Sequence, residues 1–108
     1  VLKRLLRHLV TTRRAASRAF TDATLAAIEA AIVASEQQHA AEIRFVLEPA
    51  LDWHEVRDGV TPRQRALQLF AELGVWDTAA NNGVLIHVLY ADHAIEIVAD
   101  RGFESVSD

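Results

Sequence analysis

Cysteine is absent from this 108-residue chain. That excludes a disulfide scaffold, a thiol nucleophile and any zinc site built on thiolates, although it leaves the cellular compartment open. No apolar run approaches the roughly 18 residues that a membrane span requires. Glycine and proline are scarce, at four and two residues, and the chain has neither an internal repeat nor a low-complexity tract. The motifs of nucleophilic and phosphate chemistry are missing as well. There is no Gly-x-Ser-x-Gly elbow, no glycine-rich phosphate loop, no His-Glu-x-x-His and no Asp-x-Asp. A nucleotide cofactor is therefore not expected.

What remains is the balance of an ordinary globule, 51% apolar and 24% charged, in a length that suits one domain. Such a chain buries about two-thirds of its unfolded surface and needs no covalent staple.

The net charge of −4 conceals an asymmetry. Residues 1–20 carry Lys3, Arg4, Arg7, Arg13, Arg14 and Arg18 and no acid, while the other five cations stand against all fifteen acids. A basic leader on an acidic body points to contact with an anionic surface, of lipid, of nucleic acid or of the domain itself. Val1, Leu2, Leu5, Leu6 and Leu9 recur at near-helical spacing with the cations between them. The segment is thus read as a helix that either packs on its own domain or lies at a membrane surface, with Lys3, Arg4, Arg7, Arg13 and Arg14 as the contact residues. Charge interrupts it throughout, unlike a signal peptide. The chain is accordingly expected in the cytoplasm or at the periphery of the inner membrane. Nucleic acid is not expected as a partner, because Trp53 and Trp76 are better suited to pinning loops onto the core than to stacking on bases.

A second helix starts at Thr21 or Asp22, with Phe20 before the cap, and runs to about residues 36–39. Leu25, Ile28, Ile32 and Ser35 form its inner stripe, while Glu29 and Glu36 face out. Residues 42–48 alternate, with Ile43, Phe45 and Leu47 on one face and Arg44 and Val46 on the other, as in a strand. Residues 49–60 lack a period and read as loop. Thr61-Pro62 opens a further helix that buries Ala66, Leu69, Phe70 and Leu73 and ends at Gly74. Residues 84–90 are apolar on both faces, as in a central strand, and 94–99 form the next strand after a short turn. The expected fold is a three-layer α/β/α sandwich with a Rossmann-like mixed sheet, a βαβ unit followed by an antiparallel hairpin. The final Ser105-Val106-Ser107-Asp108 resembles the cap of another helix, so a C-terminal helix is expected beyond it.

This topology gathers particular loops. The loop 76–83 that leads into the central strand meets the exit loop 100–104, and the start of the parallel strand, near His39 and Glu42, shares their edge. Asp77, Asn81, Asn82, Asp100, Glu104 and Asp108 then form an oxygen-rich cluster at helix C-termini, which favours a hard cation such as Ca²⁺ or Mg²⁺. A phosphate would sit at the opposite edge, where helices begin. Weaker constellations are Arg44, His87 and Glu96, which share one strand parity and suggest a polar patch or an acid/base network, and His54 with Asp52, Glu55 and Asp58. Asn81-Asn82-Gly83 is a tight-turn signature that signals backbone geometry.

From Phe70 onward the chain resembles the TPM domain family. The resemblance rests on Leu69-Phe70, on Asn81-Asn82-Gly83-Val84-Leu85-Ile86, on Ile95-Glu96-Ile97-Val98 and on Gly102-Phe103-Glu104 followed by Asp108. It implies an α/β/α sandwich completed by helices beyond Asp108, and an acidic cleft that binds cations in some members and shows weak phosphatase activity in a few. Carried over by position, Asn81 precedes the family's Asn-Gly pair, Gly102 and Glu104 match the exit loop, and Asp108 the aspartate after it. The chain departs from the family before its first helix, where an aspartate-containing motif is replaced by the arginines and alanines of residues 11–20. Asp100-Arg101 also replaces a glycine–aromatic pair.

The expected organisation is a basic helical segment over residues 1–20 and a TPM-like domain over 21–108, cut short at its C-terminus. Its expected role is divalent-cation binding or interaction through the acidic cleft of loops 77–83 and 100–108. The alternatives are a weak metal-dependent phosphatase-like hydrolase, and a non-catalytic module held at a membrane or complex by the basic segment.

Overall fold

The computed structural model describes residues 2–38 and 41–100. Five α-helices and three strands follow in the order α1 (Leu2–Val10), α2 (Arg13–Ala19), α3 (Asp22–Gln38), β1 (Glu42–Glu48), α4 (Trp53–Arg57), α5 (Pro62–Glu72), β2 (Gly83–Leu89) and β3 (Ala94–Ala99). A single 3₁₀ turn, Tyr90–Asp92, joins β2 to β3.

Side-chain caps set most helix starts. Thr12 divides the basic segment into two helices by accepting from the Ala15 N–H at 3.1 Å. Thr21 accepts from the Thr24 N–H at 3.2 Å and opens α3. Thr61 and Gln64 satisfy one another's backbone N–H groups at 3.1 and 2.9 Å, a capping box that starts α5 with Pro62 in its first turn. Gly74 ends that helix at φ 67°, a left-handed conformation that glycine adopts without a Cβ clash.

The sheet has the order β1-β2-β3. β1 and β2 run parallel with Phe45 opposite Ile86 and Val46 opposite His87. β2 and β3 run antiparallel with His87 opposite Glu96. Central β2 is the most deeply buried strand, which explains why it is apolar on both faces. Leu85, His87 and Leu89 point to the side on which α4 and α5 lie. There Leu85 joins Ala66, Leu69, Val75 and Val98 in one core cluster, and Leu89 joins Leu51 and Val56 in a second. Burying a leucine of this kind stabilises the fold by about 2 kcal/mol. Helix α3 packs against β1, whose Ile43, Phe45 and Leu47 point away from α5 by strand parity. The result is an α/β sandwich. On the same outer face, Ile95 and Ile97 of β3 stay exposed.

Three local expectations are corrected. Residues 49–60 are not all loop, because Asp52 caps the short helix α4 and Val56 anchors it in the core. Five residues are too few to show a helical period in sequence. Leu73 does not belong to the buried face of α5; it is exposed at the helix end. Trp53 and Trp76 do not pin loops into the core but lie on the surface, Trp53 under the Arg57 guanidinium at 4.9 Å and Trp76 donating Nε1–H to the Ala71 carbonyl at 3.1 Å.

Candidate functional site

The two ends of the sheet differ in chemistry. At the end where β1 and β2 begin, the backbone draws three segments together. The Glu42 N–H donates to the Asn82 carbonyl at 3.0 Å, and the Asp100 N–H donates to the Gly83 carbonyl at 2.9 Å. The Ile43 N–H donates to the Glu36 carboxylate at 2.9 Å, which ties the last turn of α3 to the same edge. Gly83 is required there for a reason other than φ. A Cβ at this position would lie against the backbone carbonyl of Val75, inside van der Waals contact. The left-handed residue of the Asn-Asn-Gly sequence is Asn81, at φ 52°, an amino acid that tolerates this conformation.

A cleft of about 320 Å³ opens at this edge, lined by Glu36, Glu42, Arg44, Asp77 and Thr78 among others. Three carboxylates thus reach one concavity from the end of α3, the start of β1 and the loop after α5. Both α3 and α5 finish here, and their C-termini add partial negative charge. Arg44 opposes it.

Of the residues expected as ligands, Asp77 lines this cleft and is exposed. Asn81 is exposed, whereas Asn82 and Asp100 are half-buried; all three stand at the same sheet edge without forming the cleft wall. Asn82 also donates its backbone N–H to the Thr78 hydroxyl at 3.0 Å. Glu104 and Asp108 lie outside the described residues. Glu36 and Glu42 were not among the expected ligands, and Glu36 was expected to face out. The rule that places helix ends and strand starts on one edge carries the signal for both.

The opposite end, where β1 and β2 finish, holds two ion networks. Glu48 receives Arg65 through two bonds, Nε to Oε1 at 2.9 Å and Nη2 to Oε2 at 2.8 Å, and His87 Nε2 lies 2.8 Å from Oε1. Burial raises the Glu48 pKa, but the hydrogen bonds from His87 and Arg65 outweigh it and lower the carboxyl to about 2. The same carboxylate raises the pKa of Arg65. His87 is completely buried, and its Nδ1 has no hydrogen-bond partner among the described residues. The expected trio of Arg44, His87 and Glu96 does share a face, but it is not a network. Arg44 lines the cleft, Glu96 lies 3.8 Å from Arg63, and the partner of His87 is Glu48.

In the second network Asp92 accepts from Arg4 (2.9 Å), Arg7 (3.2 Å) and His8 (2.9 Å). His8 Nδ1 in turn accepts the Leu51 N–H at 2.9 Å. An imidazole that accepts at Nδ1 and donates at Nε2 is the neutral tautomer. Burial raises the Asp92 pKa, and the Arg4 and His8 hydrogen bonds more than reverse this, leaving the carboxyl below its usual range. Of the basic residues expected to meet a partner, Arg4 is held by this network and Arg7 shares it, while Lys3, Arg13 and Arg14 are exposed.

Asp52, His54 and Glu55 bring their ligand atoms within 4.8 Å of one another. Asp52 and Glu55 are the ends of the α4 cap, with the Asp52 N–H donating to Glu55 Oε1 at 3.4 Å, so helix capping accounts for their proximity. Asp58, the fourth member expected, pairs with Arg57 at 3.3 Å instead.

A mixed α/β sandwich with an acidic cleft at the start of its parallel strands is the class that these observations define. The TPM domain model matches residues 15–108, and the chain belongs to the TPM domain family. Its fold is similar to the NMR structure of the BA42 protein from the psychrophilic bacterium Bizionia argentinensis, with a TM-score of 0.62 and 32% identity over 76% of this chain. The match spans about half of that protein, 52% of its length. A search of the curated proteins finds no match. Among the described residues no helix is long and apolar enough to cross a membrane.

Proposed function

We propose that the protein binds a divalent cation, Ca²⁺ or Mg²⁺, in the cleft at the start of the parallel strands. The observation that carries this reading is that Glu36, Glu42 and Asp77, from three separate segments, all line one cleft. Carboxylate oxygens together with the Thr78 hydroxyl make a hard, oxygen-only donor set, which suits these ions and not a thiophilic metal. Two helix C-termini add to the negative field. The loop 77–83 supplies Asp77 and places Asn81 and Asn82 nearby, and Asp100 begins the adjoining exit loop. This agrees with what membership of the TPM family implies.

The test is a titration of the protein with Ca²⁺ and with Mg²⁺ followed by backbone amide NMR. Saturable shifts are expected at residues 36, 42–44 and 74–83, and Asp77→Asn together with Glu42→Gln abolishes them. If the amides stay still at millimolar metal, or the double variant responds as the parent does, the cleft is not a cation site.

A further inference from the structure

We infer that helix α1 is a docking face for an anionic lipid surface. Its polarity is inverted relative to an ordinary surface helix. Arg4 and His8 turn inward onto Asp92, and Leu5 packs on the core cluster of Leu51, Val56 and Leu89. The outward side carries Leu2, Leu6, Leu9 and Val10, exposed by 68, 52, 58 and 72%. An α-helix advances about 100° per residue, so these four fall on the side opposite Arg4 and His8. A surface helix normally shows the reverse arrangement, with its apolar stripe on the core.

The charge of this segment is one-signed. Lys3 and Arg7 flank it, and Arg13, Arg14 and Arg18 follow on α2, all exposed, with no acid anywhere in residues 1–20. Leucines bordered by cations match the interface of an anionic bilayer, which offers apolar depth and negative headgroups together. A nine-residue helix is about 14 Å long, too short to cross a bilayer and suited to lying in its plane. It is also already folded, because the Asp92 network and Leu5 fix it to the domain, so docking need not order it first. α1 packs on α4 and on the turn after β2, at the end of the strands opposite the acidic cleft. Docking and cation binding therefore use separate surfaces.

The test is flotation of the 108-residue protein with vesicles, in the presence of EDTA so that no divalent ion bridges protein and lipid. Phosphatidylcholine vesicles containing about one-third phosphatidylglycerol are compared with pure phosphatidylcholine. Binding to the anionic vesicles is expected, weakening roughly tenfold or more as salt rises toward ~0.5 M. Leu6→Ser with Leu9→Ser abolishes it while circular dichroism stays that of the parent. Lys3→Glu with Arg14→Glu keeps the leucines and weakens it in the same assay. Equal binding to neutral vesicles, no binding at all, or unchanged binding by both variants overturns the proposal. So does a dimer of the parent in light scattering that the leucine substitutions convert to monomer, since the face would then cover a second copy.

Discussion

His8 Nε2 lies 2.9 Å from Asp92 Oδ1, joining the first helix of the chain to the turn between its last two described strands, 84 residues away. Arg4 and Arg7 converge on the same carboxylate. Asp92 is the one acid in this knot, so Arg4, Arg7 and His8 all depend on a single carboxylate. Its replacement leaves Arg4 half-buried and His8 fully buried without their shared acceptor.

Asp92→Ala is accordingly expected to cost about 2–4 kcal/mol, below the roughly 3–5 kcal/mol for breaking a fully buried ion pair because Arg4 and Arg7 keep access to water. Urea unfolding measures it. Amide hydrogen exchange should show faster exchange in residues 4–10 and at Leu51, whose N–H is bonded to His8. An effect confined to residues 90–93 would mean that α1 is held by its apolar contacts alone.

Acid should weaken the fold through Glu48. Its carboxyl is depressed in the folded protein, from 4.5 to about 2. A depressed carboxyl contributes stability that is fully present above the unfolded value and is lost as pH falls toward the folded one. The loss therefore falls between about pH 4.5 and 2. Since Glu48 is partly exposed, solvent screening reduces its size to about 1–2 kcal/mol. Asp92 is depressed as well and loses its contribution below pH 3.8. In Glu48→Gln the acid-induced loss should shrink, measured as urea midpoints from pH 6 to pH 2. A curve parallel to the parent's would show that other groups drive the acid response.

Gly83→Ala should be among the most damaging single-methyl changes in the protein. The new Cβ meets the Val75 carbonyl, which is backbone and belongs to the chain that closes the cleft edge. Relief requires separating β2 from the 74–76 turn, and a loss of about 3 kcal/mol or more is expected in thermal or urea unfolding. Asn81→Gly tests the complementary point. Asn81 holds the left-handed conformation, so glycine there should change stability by less than about 1 kcal/mol. If Gly83→Ala is tolerated as well as Asn81→Gly, the close approach to Val75 is not tight in solution.

The topology was legible in sequence because it follows from local patterns. A helix between two apolar strands forces a parallel pair, and the three residues before Ala94 allow only an antiparallel return. Those two facts bring Asp77, Asn82 and Asp100 to one edge. The Glu48–Arg65–His87 network was not legible, because Arg65 reaches Glu48 only through the rotation of α5 on the sheet. No periodicity encodes that rotation. The orientation of α1 was hidden for a similar reason. Its spacing defines an amphipathic helix, but the inward turn of Arg4 and His8 depends on Asp92, distant in sequence.

Arg44 supplies the sharpest check on the cation reading. Among the described residues it is the only cationic one that lines the cleft, which it shares with Glu36, Glu42 and Asp77. A fixed positive charge beside a dication is repulsive, by about 1 kcal/mol at the effective dielectric of a hydrated cleft. Arg44→Gln removes that repulsion and leaves the three carboxylates in place. Ca²⁺ should therefore bind about fivefold more tightly, with the gain shrinking as salt screens the charge. Calorimetric titration of parent and variant at two ionic strengths measures both effects. Weaker binding in Arg44→Gln would show that the arginine positions the carboxylates, and an unchanged affinity would place any bound ion outside this cleft.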